Sequence, residues 1–434
     1  MPKAFAPIII CTIFCAATGC STVATQESNG EASSSISGGD YYIHPIKGDD
    51  AHTGLDKEQA WRTFAPINAR SFDAGDRVHI LAPGSFERSL HITGSGSKAA
   101  PIKVHFAPGR YDFSPAHAIR RKYNISNTNA DPDDEKAIGI LLDNARHVRI
   151  NGHGARIVFR GKAIQVCIDQ SEDIRISNLK FDYHRPTVSE YRVTKIEGDR
   201  LEIKVHPDSK YEIREGQLIW IGEGWETTGN LTQELNPETD EVRRTRKSLQ
   251  RLEVEEIQPF HLRATGKSNF KEGHIYQVRD TFRDYAAVFT RRSKDIVWQD
   301  VNFYFLHGMG LVSQFSENLT FDRVSIAPDP KSGRTTAAWA DGIHVSGCRG
   351  KVVIKDCKFS GMQDDPINVH GTHLRVVEQV SGNQIKVRFM HKQTYGFMAF
   401  NPGDEITFVR WDSLETYAPN IVEAAELLNP REIL

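Results

Sequence analysis

The chain is poor in the residues that would place it in several common classes of protein. It has six cysteines in 434 residues, and only Cys167, Cys348 and Cys357 lie beyond residue 20. An odd number of cysteines gives no disulfide framework, and no Cys-x-x-Cys or His/Cys spacing indicates a zinc site. The sequence therefore predicts a fold that is held together by its core rather than by cross-links or a structural metal.

An excess of charge of one sign and long apolar runs are also missing. Lysine and arginine together number 54 against 56 aspartates and glutamates, so the formal net charge is −2. This balance gives no electrostatic reason to expect nucleic acid as a partner. No apolar run reaches the roughly 18 residues of a transmembrane helix. The 39% of hydrophobic residues are nevertheless enough to build a sizeable core.

The first 39 residues have the composition of a targeting segment followed by a tether. Lys3 and the apolar stretch 4–17 are typical of an export signal, and the following cysteine, Cys20, stands where a bacterial lipoprotein signal has its lipidated residue. We predict a signal peptide over 1–20, a lipid anchor on Cys20 and a disordered tether over 21–39. The protein would then be exported to the bacterial cell envelope and would contact the membrane only through this anchor. The simpler alternative is an ordinary secretory leader with a chance cysteine.

One short pattern recurs along the body of the chain. A turn with Asn, Asp or Ser is followed by alternating apolar residues and then by an aromatic residue, in segments that begin at Asn144, Ser171, Ser293, Ser316 and Cys348. Such repeats cannot bury an apolar face alone and must stack, and the alternation indicates strands. The predicted fold class is all-β, a right-handed parallel β-helix. A β-sandwich is the alternative, but hairpin signals such as Asn-Gly are sparse.

Two segments interrupt this pattern and resemble each other. Residues 192–222 and 375–410 each have the pattern of a hairpin with a glycine in its turn, followed by a third strand. We predict that they belong to two small antiparallel barrel-like insertions, at 186–285 and 373–415. The charged run 238–256 is expected to be a solvated face of the first insertion.

The remaining divisions follow from these two insertions. They are an N-terminal cap with the first β-helix coils at 40–185, the coils that carry the active site at 286–372, and a C-terminal segment at 416–434. Residues 61–69 are expected to form a short capping helix. The last segment contains no recognisable closing cap, so either its cap has an unfamiliar sequence or the chain is a fragment.

The segment that begins at Asp341 carries most of the residues suited to chemistry. Asp364 follows Asp341 by 23 residues, and the same interval separates Asp295 from Asn318 in two of the repeats. If one coil takes 23 residues, the two aspartates return to the same edge one rung apart, at about 4.8 Å. Asp365 would point to the opposite face from its neighbour in a regular strand, where an unpaired charge is costly, so the pair must occupy a corner or bulge.

Three carboxylates on one wall are suited to glycoside hydrolysis. They cannot all ionise without repulsion, so the pKa of one is expected to rise, and that group can act as general acid while the other two activate water. His344, Asn368 and His370 are candidates for substrate binding through sugar hydroxyls. The alternatives are an Asp-Asp-Pro turn without function and histidines that are structural or merely exposed.

The same motif is similar to that of a known family. The pattern Asp-Gly-Ile-His, then Gln-Asp-Asp-x-Ile-Asn-Val-His-Gly, resembles the active-site segment of glycoside hydrolase family 110, the bacterial exo-α-1,3-galactosidases. The resemblance extends from Tyr41 to about Arg410. More distantly, the layout of acids is similar to that of the polygalacturonases, which have a right-handed β-helix. This sequence departs from the expected pattern at Pro366, where a small residue is expected.

The resemblance implies a substrate and a division of roles. It implies inverting hydrolysis of a terminal α-1,3-linked galactose, from a galactose-terminated oligosaccharide or polysaccharide, without a cofactor or metal ion. The acids would be Asp341, Asp364 and Asp365. By the polygalacturonase pattern, Asp364 would be the general acid and Asp341 and Asp365 the bases.

Two other functions fit the same predicted fold. A polysaccharide lyase would hold Ca²⁺ between the three aspartates, and it would need a strongly basic residue nearby, for which the motif offers only Arg349 and Lys351. A non-catalytic carbohydrate-binding protein at the cell surface would need a repeated aromatic ladder on one wall, and the repeats contain none. A glycosidase is therefore the favoured prediction.

Overall fold

Almost all of the regular structure is β. The computed structural model describes residues 38–128, 133–229, 231–280 and 283–434, together with the backbone of a strand at Ile8–Ile10. The predicted lipid anchor at Cys20 and most of the predicted leader and tether lie outside the described residues. Within the described part, the one α-helix is Ala65–Asn68, inside the predicted capping helix, and short 3-10 turns lie at Pro115–His117 and Leu249–Arg251. No helix among these residues is long and apolar enough to cross a membrane.

Parallel strands stack into three ladders, and successive repeats add a strand to each ladder. The first ladder contains, in order of pairing, Leu90–Ser95, the first half of Lys136–Asn151, Ile164–Asp169, Val288–Arg291, Leu311–Gln314, Ile343–Ser346 and Ile367–His370. The second contains Asp40–Ile43, Arg77–Ile80, Ile102–Phe106, the second half of Lys136–Asn151, Glu172–Ser177, Lys294–Gln299, Glu317–Asp322 and Arg349–Lys355. The third contains Ser85–Phe86, Arg110–Phe113, Arg156–Phe159, Lys180–Tyr183, Asn302–Phe303, Ser325–Ile326 and Lys358–Phe359. A short strand, Arg120–Arg121, pairs antiparallel with the start of Lys136–Asn151.

A single left-handed residue turns the chain from the first ladder to the second in successive repeats. Gln170, Arg292, Phe315 and Gly347 occupy this place, with φ angles of 49°, 46°, 48° and 61°. A side chain in this region costs roughly 1–3 kcal/mol, which glycine avoids. Because Arg292 and Phe315 accept this cost, the corner must be fixed by the stacking of the repeats rather than by local preference.

A file of small polar residues follows this corner and explains why the sequence repeats begin as they do. The backbone N–H of Ser171 donates to the hydroxyl of Ser293 at 3.1 Å, and the N–H of Ser293 donates to the hydroxyl of Ser316 at 3.2 Å. The N–H of Ser316 donates to the Sγ of Cys348 at 3.4 Å. Each side chain therefore satisfies a buried backbone donor of its neighbour. Cys348 is a free thiol that packs against the core.

One apolar core takes side chains from all three ladders. In the third ladder, Phe181 stacks on Phe303 with ring centroids 5.1 Å apart, and Phe159 follows in the same file. In the second, Trp298 lies level with Ile176 and with Phe321. Full burial of such a side chain contributes about 1.5–3 kcal/mol, so the stack is held mainly by these files.

Two antiparallel domains accompany the ladders, and each has its own apolar core. The first antiparallel domain has the strands Val188–Glu197, Arg200–Val205, Tyr211–Arg214, Gln217–Gly222, Trp225–Thr227, Leu231–Asn236, Glu241–Thr245, Glu253–Gln258, His261–Thr265 and Ile275–Arg279. The second antiparallel domain has His373–Gln379, Ile385–Phe389, Glu405–Val409, Thr416–Ile421, Leu427–Asn429 and Glu432–Ile433, and the backbone of Ile8–Ile10 pairs between the first and third of these. The strands beyond residue 415 thus belong to the same sheet as those before it.

Candidate active site

The three predicted acids meet at the last two strands of the first ladder. Ile343–Ser346 pairs with Ile367–His370 in a register offset by 24 residues. The predicted offset of 23 is therefore wrong by one, and Asp341 lies level with Asp365. Asp364 still bonds across the same edge, because its N–H donates to the carbonyl one residue before Asp341 at 3.2 Å.

The acids form one cluster but differ in their exposure. One oxygen of each carboxylate lies within 4.8 Å of an oxygen of the other two. Asp341 is buried at 1% exposure, Asp364 is half-buried, and Asp365 is exposed. The cluster therefore reaches from the interior of the protein to its surface, so its members experience different solvation.

Two histidines connect Asp341 to the neighbouring strand. The Oδ2 of Asp341 lies 2.8 Å from Nδ1 of His344, and Nε2 of His344 lies 2.9 Å from Nε2 of His370. Nδ1 of His370 donates to the carbonyl of Gly371 at 2.7 Å. His344 is fully buried and both of its nitrogens have partners, so the prediction that it binds a sugar hydroxyl does not fit. Burial lowers the pKa of His370, and the hydrogen bond to Gly371 acts in the opposite direction.

Asn368 joins two of the carboxylates. Its Nδ2 donates to Oδ2 of Asp365 at 3.2 Å and lies 3.4 Å from Oδ2 of Asp341. An amide that donates to both oxygens stabilises their close approach without adding a charge. Asn368 and His370 remain partly accessible, so their predicted contacts with substrate stay predictions.

The first antiparallel domain contributes a cation that the sequence did not reveal. Nη2 of Arg244, from the strand Glu241–Thr245, lies 2.8 Å from Oδ1 of Asp364. Arg244 belongs to the charged run that was expected to be a solvated face, and its side chain is indeed exposed, but it also reaches Asp364. The run carries no local signal of the contact, because the pairing depends on how the domain folds against the ladder.

A second arginine of this domain lies nearby. Arg279 ends the strand Ile275–Arg279, and its guanidinium lies over the ring of Trp339 at 4.7 Å from the centroid. Burial lowers the pKa of Arg279, and Arg244 lowers it further, while the charge of Asp364 acts in the opposite direction. The side chain is thus close enough to sense both members of the Arg244–Asp364 pair.

A third arginine connects the acids to the second antiparallel domain. The guanidinium of Arg283 donates to the carbonyl of Asn127 at 2.8 Å and to Oε1 of Gln393 at 3.0 Å. Burial lowers the pKa of Arg283, and the charges of Asp341 and Asp364 act in the opposite direction. Sequence reasoning missed Arg283 because it lies at the end of the predicted insertion 186–285 and belongs to none of the repeats.

Three glutamines and a threonine hold the backbone beside the acids. Nε2 of Gln233 donates to the carbonyl of Gln363 at 2.7 Å, and Nε2 of Gln363 donates to Oε1 of Gln277 at 2.7 Å. Gln277 in turn donates to the hydroxyl of Thr335 at 2.8 Å. Because these glutamines are buried, the contacts fix the residue before Asp364 against the first antiparallel domain.

The carboxyl groups of this site are those that one class of enzyme needs. Carboxylates gathered at one edge, one buried and one exposed, can divide into a proton donor and a base, which is what hydrolysis of a glycosidic bond requires. The class that the fold and site define is a glycosidase.

Comparison with known proteins agrees with this class. Models of the GLAA-B beta-barrel domain I and the GLAA-B beta-barrel domain II match residues 189–275 and 384–434. An alpha-1,3-galactosidase A from Akkermansia muciniphila is 40% identical over 398 residues, which cover 91% of this chain and 67% of that protein. An alpha-1,3-galactosidase A from Bacteroides thetaiotaomicron is 41% identical over 342 residues, 77% of this chain and 60% of that protein. The chain belongs to glycoside hydrolase family 110, the family of the bacterial exo-α-1,3-galactosidases.

Among solved structures, a GH136 lacto-N-biosidase from Eubacterium ramulus aligns with a TM-score of 0.36 and 11% identity, over 71% of this chain and 43% of that one.

Proposed function

We propose that the chain is an exo-acting glycosidase that removes a terminal α-1,3-linked galactose, with inversion, from oligosaccharides or polysaccharides. The observation that carries this proposal is the cluster of Asp341, Asp364 and Asp365, with oxygens within 4.8 Å of one another at one edge of the first ladder. The relatives named alpha-1,3-galactosidase A support the choice of galactose and of the linkage.

The reaction needs one carboxyl group that gives a proton to the glycosidic oxygen and another that takes a proton from water. Asp365 is exposed and bonded to the neutral amide of Asn368, which suits a base that meets solvent. The resemblance to polygalacturonases gives Asp364 the part of acid and Asp341 that of a second base. Nη2 of Arg244 lies 2.8 Å from Oδ1 of Asp364, so Arg244 can orient that carboxyl group.

The linkage is tested by release of galactose from matched disaccharides. The purified chain should release galactose from α-1,3-galactobiose at least about tenfold faster than from α-1,4-galactobiose. The linkage oxygen must face the acids in both, but the second sugar then lies in a different place for each linkage. Equal rates on both, or no release from either, would contradict the proposed specificity. An unsaturated, ultraviolet-absorbing product would instead favour a polysaccharide lyase.

The stereochemistry is tested by proton NMR of the first-formed sugar. An inverting pair usually lies about 6.5–9.5 Å apart to admit a water, and a retaining pair about 5–5.5 Å apart. The closest oxygens here are nearer than either range, so spacing does not favour inversion. The third carboxylate does, because two groups can then orient one water. We expect β-galactose first from an α-linked substrate, whereas α-galactose first would indicate a covalent intermediate.

We also propose that the three ladders are the faces of one right-handed parallel β-helix, with the antiparallel domains inserted into it at 186–285 and after residue 372. The shared order of repeats in all three ladders supports this, as does the pairing of Ile164–Asp169 with Val288–Arg291 across the first domain. A crystal structure in which the three ladders do not enclose one common core, or connect with left-handed turns, would contradict it.

We further propose that the protein is exported and lipid-anchored at Cys20. The apolar stretch before Cys20 and the polar stretch after it support this proposal. In a bacterial host, the full chain should partition into the detergent phase, whereas a Cys20→Ser variant should remain in the aqueous phase. Equal partitioning of the two proteins would favour an ordinary secretory leader.

A further inference from the structure

Four polar side chains of the first antiparallel domain lie level with one another across four adjacent strands. Glu190 pairs with Gln277, and Gln277 pairs with Gln233. Gln233 pairs in turn with Arg244. Directly opposite residues of neighbouring antiparallel strands lie on the same face of a sheet, so these four side chains form one row, which we call the polar row. The first three are buried, whereas Arg244 is exposed, so the polar row leads from the interior to the surface.

Glu190, at the buried end of the polar row, holds a short segment of the chain before Asp341. Its carboxylate accepts from the backbone N–H groups of Thr335 and Thr336 at 2.8 and 3.0 Å. It also accepts from the hydroxyl of Thr335 at 2.6 Å and from that of Thr336. A carboxylate has about four lone-pair sites, so all of them are used on these two residues. Glu190 therefore fixes the position of this segment relative to the domain.

The two glutamines of the polar row connect this segment to the next repeat. Gln277 donates to the hydroxyl of Thr335 and accepts from Nε2 of Gln363. Gln233 donates to the carbonyl of Gln363. The two contacted segments belong to successive repeats, since the strands that follow them are neighbours in the first ladder. A single side chain, that of Gln277, thus contacts both repeats and fixes the distance between them.

The segments held by the polar row lead directly to the acids. Asp364 follows Gln363 in the sequence. The N–H of Asp364 donates to the carbonyl of Ala340, the residue before Asp341, at 3.2 Å. Nη2 of Arg244, at the exposed end of the polar row, lies 2.8 Å from Oδ1 of Asp364. The row therefore contacts the chain before each of two acids and the carboxylate of one of them.

We propose that the polar row positions Asp341 and Asp364 for the reaction. Glu190 and the two glutamines set the spacing of the two repeats, and Arg244 orients the carboxyl group of Asp364. This inference rests on the proposed function and adds the residues on which the placement of its acids depends. Contacts that only attached one domain to another would have no need to converge beside the acids. Because the three inner residues are buried, they act through the acids and are positioning residues. A misplacement of about 1 Å can cost about 10²-fold in rate.

The spacing can be tested without any substrate, by amide hydrogen exchange of the full-length protein. Gln277→Met keeps the length of the side chain but removes both of its hydrogen bonds. We expect faster exchange in two separate segments, 335–337 and 361–364, because this one side chain holds both. Unchanged exchange in either segment would overturn the proposal. Because no turnover is needed, this result is independent of whether the chain cleaves galactosides.

The kinetic test uses the same variant with α-1,3-galactobiose. We expect Gln277→Met to lower kcat by about 10- to 100-fold, with KM within about twofold, because a buried side chain places the acids without touching the sugar. Gln165→Met is the matched control, since Gln165 is also buried and its Nε2 donates to a backbone carbonyl, that of Phe305, at 3.4 Å. This control should keep its kcat. An active wild type with an unchanged kcat in Gln277→Met would overturn the proposal, whereas an inactive wild type would contradict the proposed function.

A gentler change on the other side of the same contacts keeps the test valid if Gln277→Met does not fold. Thr335→Val removes the hydroxyl that bonds to Glu190 and Gln277 and keeps the volume of the side chain. We expect kcat to fall by a smaller factor than in Gln277→Met, with KM nearly unchanged. Thr335→Ser restores the hydroxyl and should recover most of kcat. Equal kcat values for the two Thr335 variants would show that the hydroxyl does not place the acids, and they would overturn the proposal.

Discussion

The early strands of the first ladder, up to Leu311–Gln314, and its two late strands, Ile343–Ser346 and Ile367–His370, place different kinds of side chain at the same position. Cys167, Phe289 and Val312 lie level with one another in successive strands, and His344 and Asn368 continue the file. The first three are fully buried and apolar. The ring of Tyr123 covers Phe289 at 5.2 Å between centroids. The file is thus apolar and part of the core at one end and polar at the other.

The acids of the two ends differ in the partners that hold them. Among the early strands, Asp169 accepts from the hydroxyl of Tyr123 at 3.0 Å and lies 3.4 Å from Nε of Arg291. Burial raises the pKa of Asp169, and Arg291 acts in the opposite direction. At the late strands, the partner of Asp341 is an imidazole. An arginine keeps its protons throughout the physiological range, whereas an imidazole can exchange them, so Asp169 and Asp341 differ in whether the partner can take up or release a proton.

The largest expected effect comes from removing a late acid. Asp364→Asn or Asp365→Asn should lower kcat by about 10²- to 10⁴-fold, the usual contribution of a general acid or base, while the melting temperature stays nearly unchanged because the volume is kept. The measurement is kcat on α-1,3-galactobiose with thermal melts in parallel. Asp143→Asn, at an early strand, is the control and should keep its rate. Similar losses in all three variants would show that the late acids matter no more for the rate than an early acid.

The early end should be the more sensitive in stability. Phe289→Ala should lower the free energy of unfolding by about 3–5 kcal/mol, because a buried aromatic leaves a cavity. Asn368→Ala, at the partly exposed end of the same file, should cost about 1.5–3 kcal/mol, the usual contribution of a hydrogen bond to a charged group. Urea unfolding measures both, and an equal cost would mean that the late strands are as tightly packed as the early ones.

The contribution of the first antiparallel domain should be visible in the rate and not in the stability. Arg244→Gln should reduce kcat/KM by about tenfold, or roughly 1.4 kcal/mol in the barrier. The unfolding free energy should change by less than about 1 kcal/mol, because an exposed ion pair contributes little. Arg243→Gln, which removes a pair with Glu241 on the same strand, is the matched control. Equal rates for both variants would show that Arg244 has no role at the acids.

The smallest expected effect is that of chelation. The late acids are proposed to act as proton donor and base, so treatment with EDTA should leave the rate on α-1,3-galactobiose unchanged. Loss of activity that Ca²⁺ alone restores would contradict this role, since it would show that the late acids bind an ion rather than exchange protons.

The sequence predicted the strands and the cluster of acids, because alternation and spacing are local properties. The exact register was not local. In the file of Ser293, Ser316 and Cys348, the intervals are 23 and then 32 residues, because the turns between ladders vary in length. A period taken from one repeat therefore misplaced Asp364 by one position. The contact of Arg244 with Asp364 could not be predicted from the sequence for a related reason. Its contact depends on the docking of one domain against another, which no pattern within the run 238–256 encodes.

The pairing of Val166 with Val288, 122 residues later, sets an order of events during synthesis. The strands up to Tyr183 can stack as they leave the ribosome, but the next strand of the first ladder arrives only after the first antiparallel domain has been made. At the usual rate of elongation this takes roughly 5–20 s. During that pause, Ile164–Asp169 presents a free edge, to which other chains can add. The N–H of Asp280 donates to the carbonyl of Thr187 at 3.1 Å, so a folded first domain brings its two ends together. Folding of this domain therefore brings Val288–Arg291 next to the free edge of Ile164–Asp169 and shortens the time during which other chains can pair with that edge.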